Sequence, residues 1–113
     1  MKFLLSIPTG VNALYKQGKR GWYKSAKAVA WQEEALWTLK LSSKERKTLK
    51  KVSVAEITWY FSDKRKHDID AGIKILLDTI VKAGLVEDDD VFTELHVYKE
   101  KTSKKNYCTL NLY

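Results

Sequence analysis

The sequence predicts a small α+β domain, a mixed β-sheet with two main helices packed on it. Three observations carry this. Residues Val52 to Phe61 alternate, with Ala55, Ile57, Trp59 and Phe61 on one face and Glu56, Thr58 and Tyr60 on the other. Residues Ile73, Leu76, Leu77, Ile80 and Val81 form an apolar stripe at helical spacing. The predicted elements run strand, loop, helix, strand, helix, strand, strand, which brings helices onto a sheet. At 113 residues the chain is expected to be one domain, 1–113, with one modest core.

Each element has its own signal. Lys2 to Ile7 reads as a strand stopped by Pro8-Thr9-Gly10. Val11 to Tyr23, with Gly18 and Gly21 and the bases Lys16, Lys19 and Arg20, reads as a loop or irregular hairpin. Ser25 is the expected N-cap of a helix to about Leu41, with Val29, Ala30, Trp31, Leu36 and Trp37 at roughly helical spacing. Leu41 to Lys51 reads as a charged connector. The second helix is expected to start at about Asp70 and to end at Gly84. Val91 to Lys99 and Asn106 to Tyr113 read as strands joined by the polar turn Glu100 to Lys105.

Composition narrows the partner. The net charge is +7 and the pI about 9.4, which favours a polyanion such as nucleic acid. The charge is mostly lysine, with Arg20, Arg46 and Arg65 the only arginines, and lysine suits sequence-blind phosphate contact. The single cysteine, Cys108, excludes an intramolecular disulfide and fits a reducing cytosol. The apolar run at the start is too short for a signal peptide, and no stretch approaches a membrane span, so no membrane partner is expected.

Against this basic background stands a set of carboxylates around one lysine: Asp68-Ile69-Asp70, then Lys74, then Asp89 within Glu87-Asp88-Asp89-Asp90. The basic run Lys64-Arg65-Lys66-His67 precedes it directly. Two unit charges ~4 Å apart cost about 4 kcal/mol at an effective dielectric of ~20, a cost that a bound cation removes. All-oxygen ligands suit Mg²⁺ or Mn²⁺ rather than Zn²⁺. Such a cation facing a phosphate, with Lys74 beside it, describes phosphodiester hydrolysis. The same residues also admit plainer roles: Asp70 as an N-cap, Asp70–Lys74 as a surface ion pair, and Glu87 to Asp90 as a solvated turn. Spacing leaves the two accounts open. It also sets Asp89 at the far end of the helix unless the acidic loop folds back or a partner subunit supplies it. His67 and His96 have no partners at zinc spacing and are expected to be packed or solvated.

At these residues the chain resembles the RusA family of Holliday junction resolvases. The pattern is a basic run, Asp-x-Asp, a Lys four residues on, an Asp on the same helix, a Gly and an Asp-Asp pair. It reads here as Lys64 to His67, Asp68-Ile69-Asp70, Lys74, Asp78, Gly84 and Asp88-Asp89. Asn12, Tyr15, Tyr23 and Ser25, after a strand ending in a proline, resemble the family's opening. The resemblance implies a RusA-like fold and a homodimeric, Mg²⁺-dependent endonuclease, with Mn²⁺ a possible substitute, that cuts four-way junction DNA by paired symmetric nicks in recombination and repair. It implies Asp68, Asp70 and Asp89 as metal ligands and Lys74 as the catalytic lysine. Lys64, Arg65 and Lys66 are then DNA contacts, joined by Asn12, Lys16 and Arg20 in the N-terminal loop. A cytoplasmic protein of bacterial or phage origin is the corresponding expectation. One position departs from the family: Ala71 stands where an Asn usually follows the second Asp, and it lacks the amide that would orient a carboxylate or water. That departure keeps a second function in view, a junction-binding module of the same fold without catalysis.

Overall fold

In a computed structural model the described residues are 2–8, 15–18, 21–24, 26–42 and 52–113, with 15–18, 21–24 and 42 described by their backbone. The elements are β1 (Lys2–Leu5), β2 (Tyr15–Gly18), β3 (Gly21–Lys24), α1 (Ala26–Ser42), β4 (Val54–Tyr60), α2 (Ile73–Lys82), β5 (Glu94–Glu100) and β6 (Tyr107–Leu112), with a 3-10 turn at Asp89–Val91. The α+β prediction holds: a four-stranded mixed sheet carries both helices. The region expected to be a loop or irregular hairpin contains the antiparallel β2–β3 hairpin, with Gly18 opposite Gly21. The expected Ser25 cap and most of the Leu41 to Lys51 connector lie outside the described residues.

The sheet order is β1-β6-β4-β5. β6 lies antiparallel between β1 and β4, whereas β4 and β5 are parallel and joined through α2 as the crossover. One row of the sheet recurs below: Leu5 opposes Cys108, Cys108 opposes Trp59, and Trp59 opposes Lys99. The alternation read in β4 is realised, with Ala55, Ile57, Trp59 and Phe61 buried and Glu56, Thr58 and Tyr60 half-buried. Phe3, Leu5, Cys108, Leu110 and Leu112 extend the same apolar face. Each such fully buried Leu or Ile stabilises by about 1.5–3 kcal/mol relative to exposure.

The helices close that face. In α2, Leu76 and Ile80 are buried as the stripe predicts, while Ile73, Leu77 and Val81 flank the core half-buried. Ile75 and Thr79, absent from the predicted stripe, are fully buried because α1 covers that side of α2. Gln32 on α1 donates to Thr79 Oγ1 (3.0 Å), which donates to the Ile75 carbonyl, and Lys82 donates to Gln32 Oε1 (3.2 Å). This chain satisfies the polar groups that the helix contact buries.

The buried face of α1 differs from the one expected. It consists of Ala28, Trp31, Gln32, Ala35 and Leu39, while Val29 and Ala30 are exposed and Trp37 remains 66 % exposed. Apolar residues surround this helix, so periodicity does not select a side. Close packing does, because the two alanines let the helix approach and the Trp31 indole reaches an acceptor, the Ser6 carbonyl, at 2.9 Å.

α2 begins at Ile73 rather than at Asp70, and its N-cap is Gly72 in the left-handed region (φ 83°). At its other end Gly84 (φ 76°) does what the sequence suggested. Its N–H bonds to the Val81 carbonyl (2.9 Å) and the Leu85 N–H bonds to the Ile80 carbonyl (3.2 Å), a Schellman closure.

Candidate functional site

Residues 61–72 leave β4 and return to α2, and they carry the basic run and the Asp68-Ile69-Asp70 pair. Asp63 organises the first half. Its Oδ1 accepts from the Arg65 N–H (3.1 Å) and lies 2.7 Å from His67 Nε2. The His67 hydrogen bond, foremost, holds the Asp63 carboxyl below its usual range. The His67 ring stacks flat on Phe61, with centroids 3.7 Å apart and planes 4° apart. His67 is therefore a packed residue, as expected, and it pins the end of the basic run. Lys64, Arg65 and Lys66 are exposed between these anchors, free to meet a polyanion.

The second half is gripped through its backbone. Lys99 Nζ on β5 donates to the His67 carbonyl (2.8 Å), and Trp59 Nε1 on β4 donates to the Ile69 carbonyl (2.9 Å). The Ala71 N–H donates to the Asp68 carbonyl (3.1 Å) and the Ile73 N–H to the Asp70 carbonyl (3.3 Å), which closes the turn. Ala71 thus acts through its main chain, and its methyl group offers no amide to orient a carboxylate. Gly72 completes the turn where no other residue fits well. A Cβ there would sit 3.0 Å from Pro8 Cγ, on a backbone that L side chains rarely adopt. Asp68 and Asp70 are both exposed, and neither caps the helix with its side chain, so the N-cap role does not account for Asp70. Lys74 follows one residue into α2, exposed.

The acidic loop folds back. Its 3-10 turn packs against α2, and Asp89 feels the charge of Asp78, one helical turn beyond Lys74. Asp88 caps the turn by accepting from the Asp90 N–H (3.5 Å). The Asp88 and Asp89 carboxyls share a hydrogen bond that lowers the first and raises the second, and the charges of Asp88 and Asp78 push Asp89 up further. Among the described residues no three His, Cys, Asp or Glu side chains converge as a metal site, so one chain does not gather Asp68, Asp70 and Asp89 together. The donor chemistry nevertheless fits Mg²⁺, which is commonly held by one or two carboxylates with waters and substrate phosphate oxygens. Asp78, the aspartate on the same helix in the family pattern, lies on the side of α2 that faces the acidic turn, where its charge acts on Asp89. Asn12 and Arg20 lie outside the described residues, and of Lys16 only the backbone, in β2, is described. No helix among the described residues is long and apolar enough to cross a membrane.

Comparison with known proteins places this segment within a family match that spans most of the chain. The family described as Endodeoxyribonuclease RusA matches residues 6–110. The crossover junction endodeoxyribonuclease RusA of Aquifex aeolicus (strain VF5) is 30 % identical over 99 residues, covering 87 % of this chain and 78 % of the relative. That of Enterobacteria phage HK97 is 27 % identical over 101 residues, covering 87 % and 81 %. The match takes in the basic run, the Asp68–Asp70 turn, Lys74 and the acidic turn, and the chain belongs to the RusA endodeoxyribonuclease family.

Proposed function

We propose that residues 1–113 act as one nuclease unit, a divalent-cation-dependent endonuclease that resolves four-way DNA junctions. The observation that carries this reading is the segment 61–72, where three exposed cations run directly into two exposed carboxylates on a turn held from the sheet. Asp68 and Asp70 hold Mg²⁺ or Mn²⁺ through oxygen, with Asp89 as the third carboxylate. The cation, when bound, polarises a phosphoryl oxygen and lowers the pKa of a bound water. Lys74 offers its ammonium to the charge that develops on the scissile phosphate. Lys64, Arg65 and Lys66 neutralise neighbouring phosphates, so affinity falls as salt rises. A homodimer with two-fold symmetry presents one site to each of two opposed strands of a near-symmetric junction.

Asp89 joins the pair if the acidic turn approaches 68–70 on binding. A bound cation favours that approach, since its charge relieves the repulsion among the carboxylates it gathers. The test is incubation with a synthetic four-way junction, with and without Mg²⁺. Paired nicks that need Mg²⁺ and vanish in Asp70→Asn, with junction binding kept, support the proposal. Binding that never yields nicks in the unaltered protein points to the non-catalytic module that Ala71 keeps in view.

A further inference from the structure

We infer that Lys99 and Trp59 are positioning residues that aim the two carboxylates of the Asp68–Asp70 turn; this rests on the reading of those aspartates as cation ligands. The two residues are direct partners across the parallel β4–β5 register. Each reaches one carbonyl of the turn: Lys99 Nζ holds the His67 oxygen at 2.8 Å and Trp59 Nε1 the Ile69 oxygen at 2.9 Å. The His67 carbonyl belongs to the peptide plane leading into Asp68. The Ile69 carbonyl belongs to the plane leading into Asp70. One rung of the sheet therefore fixes the plane before each aspartate and leaves both carboxylates exposed.

The donors are themselves well placed to hold. Trp59 is 1 % exposed, locked in the core, with its ring edge 3.6 Å from where a Gly72 Cβ would be. Lys99 is exposed, yet its ammonium is directed to a neutral backbone oxygen. Two carboxylates near in sequence repel each other, and a peptide segment without external grips relaxes to part them. Holding both planes narrows the directions open to the two carboxylates before a cation arrives, so less ordering remains when it binds. The competing role for Lys99 is that of one more phosphate-contacting lysine, which makes a different prediction.

The deciding experiment measures Mn²⁺ binding to free protein by calorimetry, Mg²⁺ dependence of junction cutting, and junction binding in EDTA. Lys99→Met, an exposed site whose change leaves the core untouched, is expected to weaken Mn²⁺ binding by about tenfold or more, as loss of an outer partner of a metal ligand does. The Mg²⁺ needed for half-maximal cutting rises in parallel, and junction affinity in EDTA stays the same. Lys99→Arg restores a donor and recovers part of the loss. Trp59→Phe removes the other donor together with part of the core packing, and it shifts Mn²⁺ binding in the same direction, read alongside its melting temperature. The inference is overturned if Lys99→Met leaves Mn²⁺ binding intact, whether or not junction affinity falls. Asp70→Asn separates the two levels. If it too binds Mn²⁺ as tightly as the unaltered protein, the ligand assignment fails; if it alone loses Mn²⁺, only the positioning role fails.

Discussion

The chain carries two aspartate pairs, and they are held in opposite ways. Asp68 and Asp70 sit on a turn anchored from outside itself, by Lys99, Trp59 and the Phe61–His67 stack. Asp88 and Asp89 sit on a turn closed by its own bonds, the Asp90 N–H to Asp88 and the two carboxyls to each other. The first pair has its backbone fixed and its carboxylates open to solvent. The second spends its carboxylate oxygens on itself and raises the proton affinity of Asp89. A sheet that grips a loop by its peptide oxygens leaves the side chains available for chemistry. A turn that caps itself with those side chains must give the bonds up before they can serve a ligand.

The sharpest way to break this contrast is to remove one carboxylate from each pair. Asp68→Asn and Asp89→Asn are both expected to lower junction cutting by more than the ~100-fold that outer partners cost, with junction binding kept or strengthened, measured by single-turnover cleavage beside a gel-shift titration. They should differ in the unbound protein. Asp88→Asn brings the Asp89 titration, followed by NMR, down toward the ordinary carboxylate range, because its raised value comes first from the Asp88 hydrogen bond. If Asp89 titrates as before, the self-bonded account of that turn is wrong.

A smaller effect compares the two left-handed glycines. Gly72→Ala is expected to cost ~1–3 kcal/mol, since it combines left-handed strain with the 3.0 Å contact to Pro8. Gly84→Ala meets nothing within 4 Å and carries only the backbone cost of ~1–2 kcal/mol. Denaturant melts give the two values. Equal losses would mean that Pro8 yields easily and that the first turn is less firmly set than its contacts indicate.

The smallest effect probes the sheet row behind the braced turn. Burial pushes the Cys108 thiol, directly opposite Trp59, from 9.0 up to about 12. A folded value above the unfolded one means that its contribution to stability is full below pH 9.0 and is lost as pH rises toward about 12. The fall in stability across that window should be shallower in Cys108→Ala than in the unaltered protein. At pH 8 the native thiol should resist iodoacetamide, and ready alkylation would show that the row opens.

Several elements were legible without coordinates because each rests on a local rule. The period-two pattern of β4 needs only its own ten residues. The Gly84 closure needs one residue free to turn left after an apolar stripe. The motif from Lys64 to Asp89 was readable as a set because its spacing repeats a family pattern, which most of the chain then proved to match. The start of α2 was read too early, because an aspartate before an apolar run is the commoner cap. What overrode it is Gly72, whose left-handed φ of 83° cannot belong to a right-handed helix and so sets the cap two residues later.

The sequence by itself determined the polarity of β4, the stripe of α2, the basic character and the identity of the charged set, since composition and short-range periodicity are properties of the chain alone. Only the tertiary structure decided which side of α1 is buried, that the acidic turn folds back onto α2 beside Asp78, and that the rung Trp59–Lys99 holds the two peptide planes before Asp68 and Asp70. These depend on parallel pairing of β4 with β5 and on packing across the sheet. A hydrogen bond from a strand to a loop 10 or 32 residues away leaves no periodic trace in the sequence.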